Sequence, residues 1–457
     1  MLRILWFFLL IAIVVFASLW IAQHPGTVEI NWFGREVSLS TGIALLVLLI
    51  FTILVIFTFS VLRGLWRSPG SLMRVYKNNK RSRGYKALTL GMVAVAAGDP
   101  DEARKQSKKA DVLLNEPPLT MLLQAQAAQL NGDENAARKY FIQMLDNEET
   151  AFLGLRGLTN QAIKKGDRDE ALKLAYKAKK LRPDSKWVFE QLHLLEANEG
   201  HYSEALEALQ EAQSRKLLPK EESKHKQAVV LTQIALEKEK AGDLEFALNR
   251  AIKAVNRDPS LVAAQEAQAR LYVATNRHRK AAAAIEKAWK KQPHPDLVPI
   301  YFDAKKVSEA MDKYKAGEKL FAINENDPVS LIAKAETALA ADLWGEAKHC
   351  LEEAIAKKPS EKAYKLLAKV ERAEGGSPAA ITAYLEKAAS IPQESIWLCQ
   401  SCSEPHKDWQ MLCSSCGTVD SLKWRAETLI QNRPKLLSAV EAEVIETAPD
   451  QTKDDPS

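Results

Sequence analysis

Residues Gly166 to Pro183 read GDRDEALKLAYKAKKLRP, and this stretch decides the fold. A Gly-Asp pair opens it, alanines follow at 171, 175 and 178, and a proline closes it. Glycine permits a tight turn between helices, small residues let two helices approach closely, and proline starts a new unit. Gly-Asp occurs also at Gly98-Asp99 and Gly132-Asp133, so three copies stand 34 residues apart, and Gly200 continues the series. A small residue follows each at the same offset: Ala103, Ala137, Ala171 and Ala205. A fixed period of this length marks a repeat architecture. Further along, Gly242-Asp243 leads to Ala247 and Pro259, Asn276 takes the turn before Ala281 and Pro293, and Ala347 precedes Pro359.

The pattern resembles the tetratricopeptide repeat, in which a helix, a Gly-containing turn, a second helix and a closing Pro recur. About nine units fit between Gly84 and Ala389 at this period. The one around Asp296–Pro328 lacks the Gly-Asp turn, and extra residues near Ser214–Lys226 break the period once. Solenoids of this kind bind rather than catalyse, so the repeats predict protein partners without naming them.

Upstream of the repeats lie two apolar runs: 19 residues without a charge from Ile4 to Ala22, and 22 more from Thr41 to Leu62. Each is long enough to cross a hydrocarbon core of about 30 Å at 1.5 Å per residue. The first run carries only Arg3 ahead of it and no tidy small-x-small cleavage site behind it, which favours an anchor over a signal peptide. The 18 residues between the runs, Gln23–Ser40, hold one Arg and two Glu, whereas eight basic residues and no acid lie between Arg63 and Lys86. The positive-inside rule therefore predicts two spans with both termini, and the repeats, in the cytoplasm. In the outer loop Val28, Ile30 and Trp32 alternate before Phe33-Gly34, and Val37 and Leu39 alternate after it. That is a small hairpin signal, although its aromatic residues also suit the headgroup level.

The chain has 457 residues, a length that predicts about three domains. Its net charge of +5 rests on the eight basic residues after the second span, and without them the rest is three charges negative. A nucleic-acid binder would spread Lys and Arg over a folded face, so no nucleic-acid partner is expected. None of the eight histidines forms a His-x-x-x-His pair, and each reads as a surface or packing residue. No dinucleotide, ATP or serine-hydrolase motif occurs, so the sequence predicts no enzyme and no catalytic residue.

Five cysteines in a chain this long do not suit a disulfide framework, and a reducing compartment is the better reading. Four of them form Cys399-Gln-Ser-Cys402 and Cys413-Ser-Ser-Cys416, while Cys350 sits alone in a helical pattern. Two such knuckles can place four thiolates tetrahedrally around one ion. Zinc suits a closed shell of four soft ligands best, with iron as the alternative. His406 reads as a loop residue rather than a substitute for one of the cysteines. Gly417 eases the turn after Cys416, whereas Ser403 stands in that place in the first knuckle and makes N–H donation to sulfur less certain there. Trp397, Trp409 and Trp424 bracket the knuckles and suit the small core of a metal mini-domain, which is expected to unfold without its ion while sparing the repeats.

Several stretches together resemble the HemY family of proteobacterial inner-membrane proteins: the PGTVEINWFG loop at Pro25–Gly34, the basic RSRGYKALTLGMVAVAAGDPDEARK at Arg81–Lys105, the two-span hairpin and the repeats. The resemblance implies a link to a late step of haem biosynthesis and haem-pathway enzymes as partners, without an assigned reaction. The paired cysteines also resemble the rubredoxin-like tail of the lipopolysaccharide assembly protein B family. Adaptor work in lipopolysaccharide assembly and carriage of haem or porphyrin are therefore the alternatives. The expected organisation is an all-α chain: a transmembrane hairpin over 1–62, a basic juxtamembrane segment over 63–84, a tetratricopeptide-repeat solenoid over 85–390, a four-cysteine module over 396–424, and a polar, disordered tail over 425–457.

Overall fold

The computed structural model describes residues 26–32, 35–67, 69–391 and 395–426, with scattered positions between 12 and 23. Most of the first apolar run and residues 427–457 of the tail lie outside them. Strand β1 (Thr27–Trp32) pairs antiparallel with β2 (Arg35–Ser40), from Thr27 opposite Ser40 to Trp32 opposite Arg35. The alternation between the two apolar runs is thus a hairpin. Its open end is tied to the next helix, where Gly26 N–H donates to Thr41 Oγ1 at 3.2 Å and Thr41 N–H donates to Gly26 O at 3.1 Å.

Helix α1 (Thr41–Arg67) follows, and over Thr41–Arg63 it is long and apolar enough to cross a membrane, with none of that stretch buried. This matches one of the two expected spans; most of the other falls outside the described residues. Helix α2 (Pro69–Ala96) carries the basic run from Arg74 to Lys86 and continues into the first repeat turn. No proline interrupts it between Pro69 and Pro100, so the basic segment and the first repeat helix are one element.

Helices then pair in sequence. Helix α2 is followed by α3 (Pro100–Leu114); α4 (Pro117–Leu130) pairs with α5 (Glu134–Gln143), α6 (Glu148–Lys165) with α7 (Arg168–Leu181), and α8 (Lys186–Asn198) with α9 (Tyr202–Ser214). The series continues with α10 (Lys220–Lys240) and α11 (Leu244–Arg257), α12 (Val262–Ala274) and α13 (His278–Lys291), and α14 (Leu297–Lys305) and α15 (Ala310–Phe321). It ends with α16 (Pro328–Ala340) and α17 (Trp344–Lys357), then α18 (Glu361–Ala373) and α19 (Pro378–Ser390). This is the expected tetratricopeptide-type solenoid.

Each pair turns on one residue in the left-handed region. Gly98, Gly132, Gly166, Gly200, Gly242 and Gly375 hold φ between 72° and 83°, and Asn276, Lys306 and Asp342 hold 57° to 58°. The Gly-Asp signal has two separable causes. At Gly166 the chain reverses, so that Asp167 N–H reaches Ala162 O at 2.9 Å, and the Asp167 carboxylate then accepts from Glu170 N–H at 3.1 Å, capping α7. Asp99, Asp133 and Asp243 cap their helices in the same way at 3.0, 2.9 and 3.3 Å. The unit without Gly-Asp is still a helix pair, with a nine-residue α14 and Lys306 in the turn. The break in the period is a longer helix: α10 runs for 21 residues.

The alanines five residues after each turn glycine are buried where the helices meet, Ala103, Ala137, Ala171, Ala205 and Ala247 among them. Between α5 and α6 the approach is closer still. A Cβ on Gly157 would lie 2.3 Å from the Phe141 ring, so only glycine fits there.

Candidate metal centre

After Ile391 the helices end, and β3 (Ser395–Cys399) pairs antiparallel with β4 (Pro405–His406) on one side and β5 (Leu422–Ala426) on the other. The two cysteine pairs sit in loops of matching geometry. In the first, Ser403 N–H donates to Cys399 O at 2.9 Å and Cys399 N–H to Glu404 O at 3.0 Å. In the second, Gly417 N–H donates to Cys413 O at 2.8 Å and Cys413 N–H to Thr418 O at 3.1 Å. Gly417 takes φ 69°, and Ser403 takes φ 63° without being glycine. The N–H donation that Ser403 put in question is present, with Ser401 N–H 3.4 Å from Cys399 Sγ.

These loops bring all four sulfurs within 4.8 Å of one another. Cys399 Sγ lies 3.7 Å from Cys416 Sγ, and Cys402 Sγ lies 3.6 Å from Cys413 Sγ. A tetrahedral ion with metal–sulfur bonds of about 2.3 Å has sulfurs about 3.8 Å apart, so the donor set fits one closed four-sulfur site. All four are free thiols. Cys350 stays apart on α17, where burial pushes its thiol up to about 11.

The sulfurs are unequal as acids. Burial raises the Cys399 thiol, but Ser421 and the N–H groups of Cys402 and Ser401 outweigh it and bring the group down to about 6. Burial dominates at Cys402, which goes up to about 12, and at Cys413 it also acts upward. A cation is what would hold all four as thiolates together. His406 comes closer than a loop residue need: its Nε2 lies 3.4 Å from Cys413 Sγ, and its Nδ1 lies 2.6 Å from Gln410 Nε2.

The module does not stand alone. Trp397, Cys399, Trp409, Met411, Cys413 and Leu422 share one buried apolar cluster with repeat residues from Ala125 to Ala264. The physical reason is size: about 30 residues cannot cover three tryptophans, so the module completes its core on the repeats. Trp397 and Trp424 pack edge to face, ring centres 5.4 Å apart, and the His294 ring stands 6.0 and 4.5 Å from them. His225 on α10 bridges the two parts. Its Nδ1 lies 2.6 Å from Asp258 Oδ2 and its Nε2 lies 2.9 Å from Asp420 Oδ2.

Expected only as surface or packing residues, these histidines lie against the module. The two aspartates raise His225 to about 9, whereas burial lowers His193 and His294 to about 4. The signs follow. A raised folded value means that the His225 bridge contributes fully below the ordinary value of about 6.5 and is lost as pH rises through about 9. A depressed value means that His193 and His294 oppose docking as pH falls from about 6.5 towards 4. Near-ultraviolet circular dichroism of the packed tryptophans should therefore fall as pH passes about 9. In a His225→Ala protein it should already be reduced at neutral pH, and a flat profile in the wild type would contradict the bridge.

Comparison with known proteins places the N-terminal part. Residues 26–132 match the family described as HemY protein N-terminus. The matched stretch is 107 of the 457 residues. It holds the hairpin, the apolar helix and the first Gly-Asp turns, the stretches on which the sequence resemblance rested. Protein HemY of Escherichia coli is 30% identical over 142 residues, covering 31% of this chain and 35% of that protein. The match to HemY therefore spans about a third of that relative's length. The probable magnetosome protein Mms48 of Magnetospirillum gryphiswaldense is 23% identical over 447 residues, 93% of each chain. Among solved structures, the Naa15/Naa10 complex bound to HypK-THB contains a chain 16% identical, covering 72% of this chain and 60% of its own, with a TM-score of 0.36. A tetratricopeptide repeat protein from Parabacteroides merdae is 16% identical, covering 52% of this chain and 98% of its own, with a TM-score of 0.28.

Proposed function

We propose that this chain is an inner-membrane scaffold whose repeat solenoid binds protein partners on the cytoplasmic side, and that Cys399, Cys402, Cys413 and Cys416 hold one structural zinc, with iron as the alternative. The observation that carries the reading is the pairing of stacked helix pairs with a cluster of four sulfurs. Repeats of this type offer extended binding faces, and four thiolates close an ion's shell and leave no position for substrate. The match to the HemY N-terminus supports haem-pathway enzymes as the partners. Affinity purification from cross-linked membranes tests this: such enzymes should be recovered with the full chain and lost when residues 117–391 are deleted. Recovery that does not depend on the repeats would contradict it.

The orientation has its own test. Eight basic residues flank only the repeat side of the spans, so a reporter fused after Lys86 should be cytoplasmic and one inserted at Thr27 periplasmic. A periplasmic signal from the Lys86 fusion would overturn the topology.

A further inference from the structure

The first helices of four successive pairs contribute to one face of the repeats. Helix α8 brings His193 and Asn198, α10 brings His225, α12 brings Glu266, and the turn before α14 brings His294. The cysteine module lies on that face. A Cβ on Gly417 would lie 3.4 Å from Asn198 Oδ1, Asp420 reaches His225, and Trp397 and Trp424 enclose His294. His193 and His294 are almost fully buried there, at 3% and 2% exposure, although both lie on the repeats. Unlike charge is matched at His225–Asp420, while burial raises Glu266 and Asp296 and the charge of Asp408 adds to both. One part of the interface attracts and another repels.

We propose that the module is a metal-set cover over this face, and that loss of the ion uncovers it for a partner segment presenting a carboxylate and an aromatic side chain as the module does. The proposal rests on the metal reading above. The module's own fold hangs on its four sulfurs, because its apolar residues are shared with the repeats and its sheet has only three short strands. The repeats carry their own buried alanine and leucine core and do not need the ion. Removing the ion therefore separates the two parts instead of unfolding both. What remains on the repeats is an imidazole beside Asp258 without its second carboxylate, next to an apolar site around His294 that two indoles have left. A segment that presents one carboxylate and one aromatic side chain complements that surface, and Thr418–Ala426, TVDSLKWRA, is such a segment in this chain, with Asp420 and Trp424.

The test uses the full chain in detergent micelles. Diethylpyrocarbonate modifies neutral imidazoles, so His225, clamped and charged between two aspartates, should react slowly in the metal-loaded protein. After chelation it should react severalfold faster, since Nε2 loses Asp420 and opens to the reagent while Asp258 still holds Nδ1, so that the proton is held less firmly by one carboxylate than by two. His349 on α17 serves as the internal reference. An Asp420→Ala protein should react fast while keeping its full equivalent of metal. A labelled Thr418–Ala426 peptide should bind the chelated chain more tightly than the loaded one. If an ion is bound and its removal leaves the His225 rate unchanged, or if the peptide binds both forms equally, the cover is overturned and the metal reading stands. If the untreated protein holds no ion, both are overturned.

Discussion

Replacing Cys413 by Ser should release the ion and unfold residues 395–426, the largest single effect expected in this protein. Structural zinc contributes on the order of 10 kcal/mol of folding free energy, and a module that shares its apolar core with the repeats has little else to hold its loops. Amide exchange in β3 and β5 should rise to near that of an unfolded chain, while helical circular dichroism stays almost unchanged. The position of His406 makes this variant the stringent one. With Nε2 3.4 Å from Cys413 Sγ, His406 is the group placed to replace the lost sulfur. Full retention of metal in Cys413→Ser, lost on adding His406→Ala, would show a site with His406 as a reserve ligand. Melting of the repeats together with the module would show that the two fold as one unit.

The second large effect is expected from Ala171→Trp. Ala171 is fully buried where α7 meets its neighbours, and the next buried residues on that face, Leu174, Ala175 and Ala178, leave no space for an indole. Overpacking of a tight core costs about 1–3 kcal/mol or more. Because repeats couple mainly to their neighbours, the loss should appear as raised exchange in α6 to α8 first. Glu245 is the control. It is exposed and paired with Arg277 at 2.8 Å, and a surface pair contributes about 0–1 kcal/mol, so Glu245→Ala should leave the melting temperature nearly unchanged. Equal melting temperatures for Ala171→Trp and wild type would remove the close-packed repeat at that unit.

What could be read from the sequence was local. Gly-Asp announces a helix end and the next helix start within a few residues, and Cys-x-x-Cys announces its own loop. Both signals therefore carried the solenoid and the cysteine cluster to the right positions. Turns held by Lys306 and Asp342 were harder, because a positive φ on a side-chain-bearing residue leaves no compositional mark. The docking of the module was not legible at all. His225 and Asp420 are 195 residues apart, and nothing in either neighbourhood announces the other. The one available hint was the broken period near Ser214–Lys226, where the lengthened α10 carries His225 in its first turns. The continuity of α2 was missed for a different reason: a basic composition suggests a separate juxtamembrane segment, but charge does not end a helix.

The work proposed for this protein is to hold partners and not to hold or transform a haem. Titration of haem into the full, metal-loaded chain in micelles, followed at the Soret band, tests it most directly. No shift beyond that of micelles alone is expected, since four thiolates closing around one ion would leave no axial ligand free at that site and His193 and His294 are buried. A Soret shift that saturates at one equivalent per chain would contradict it.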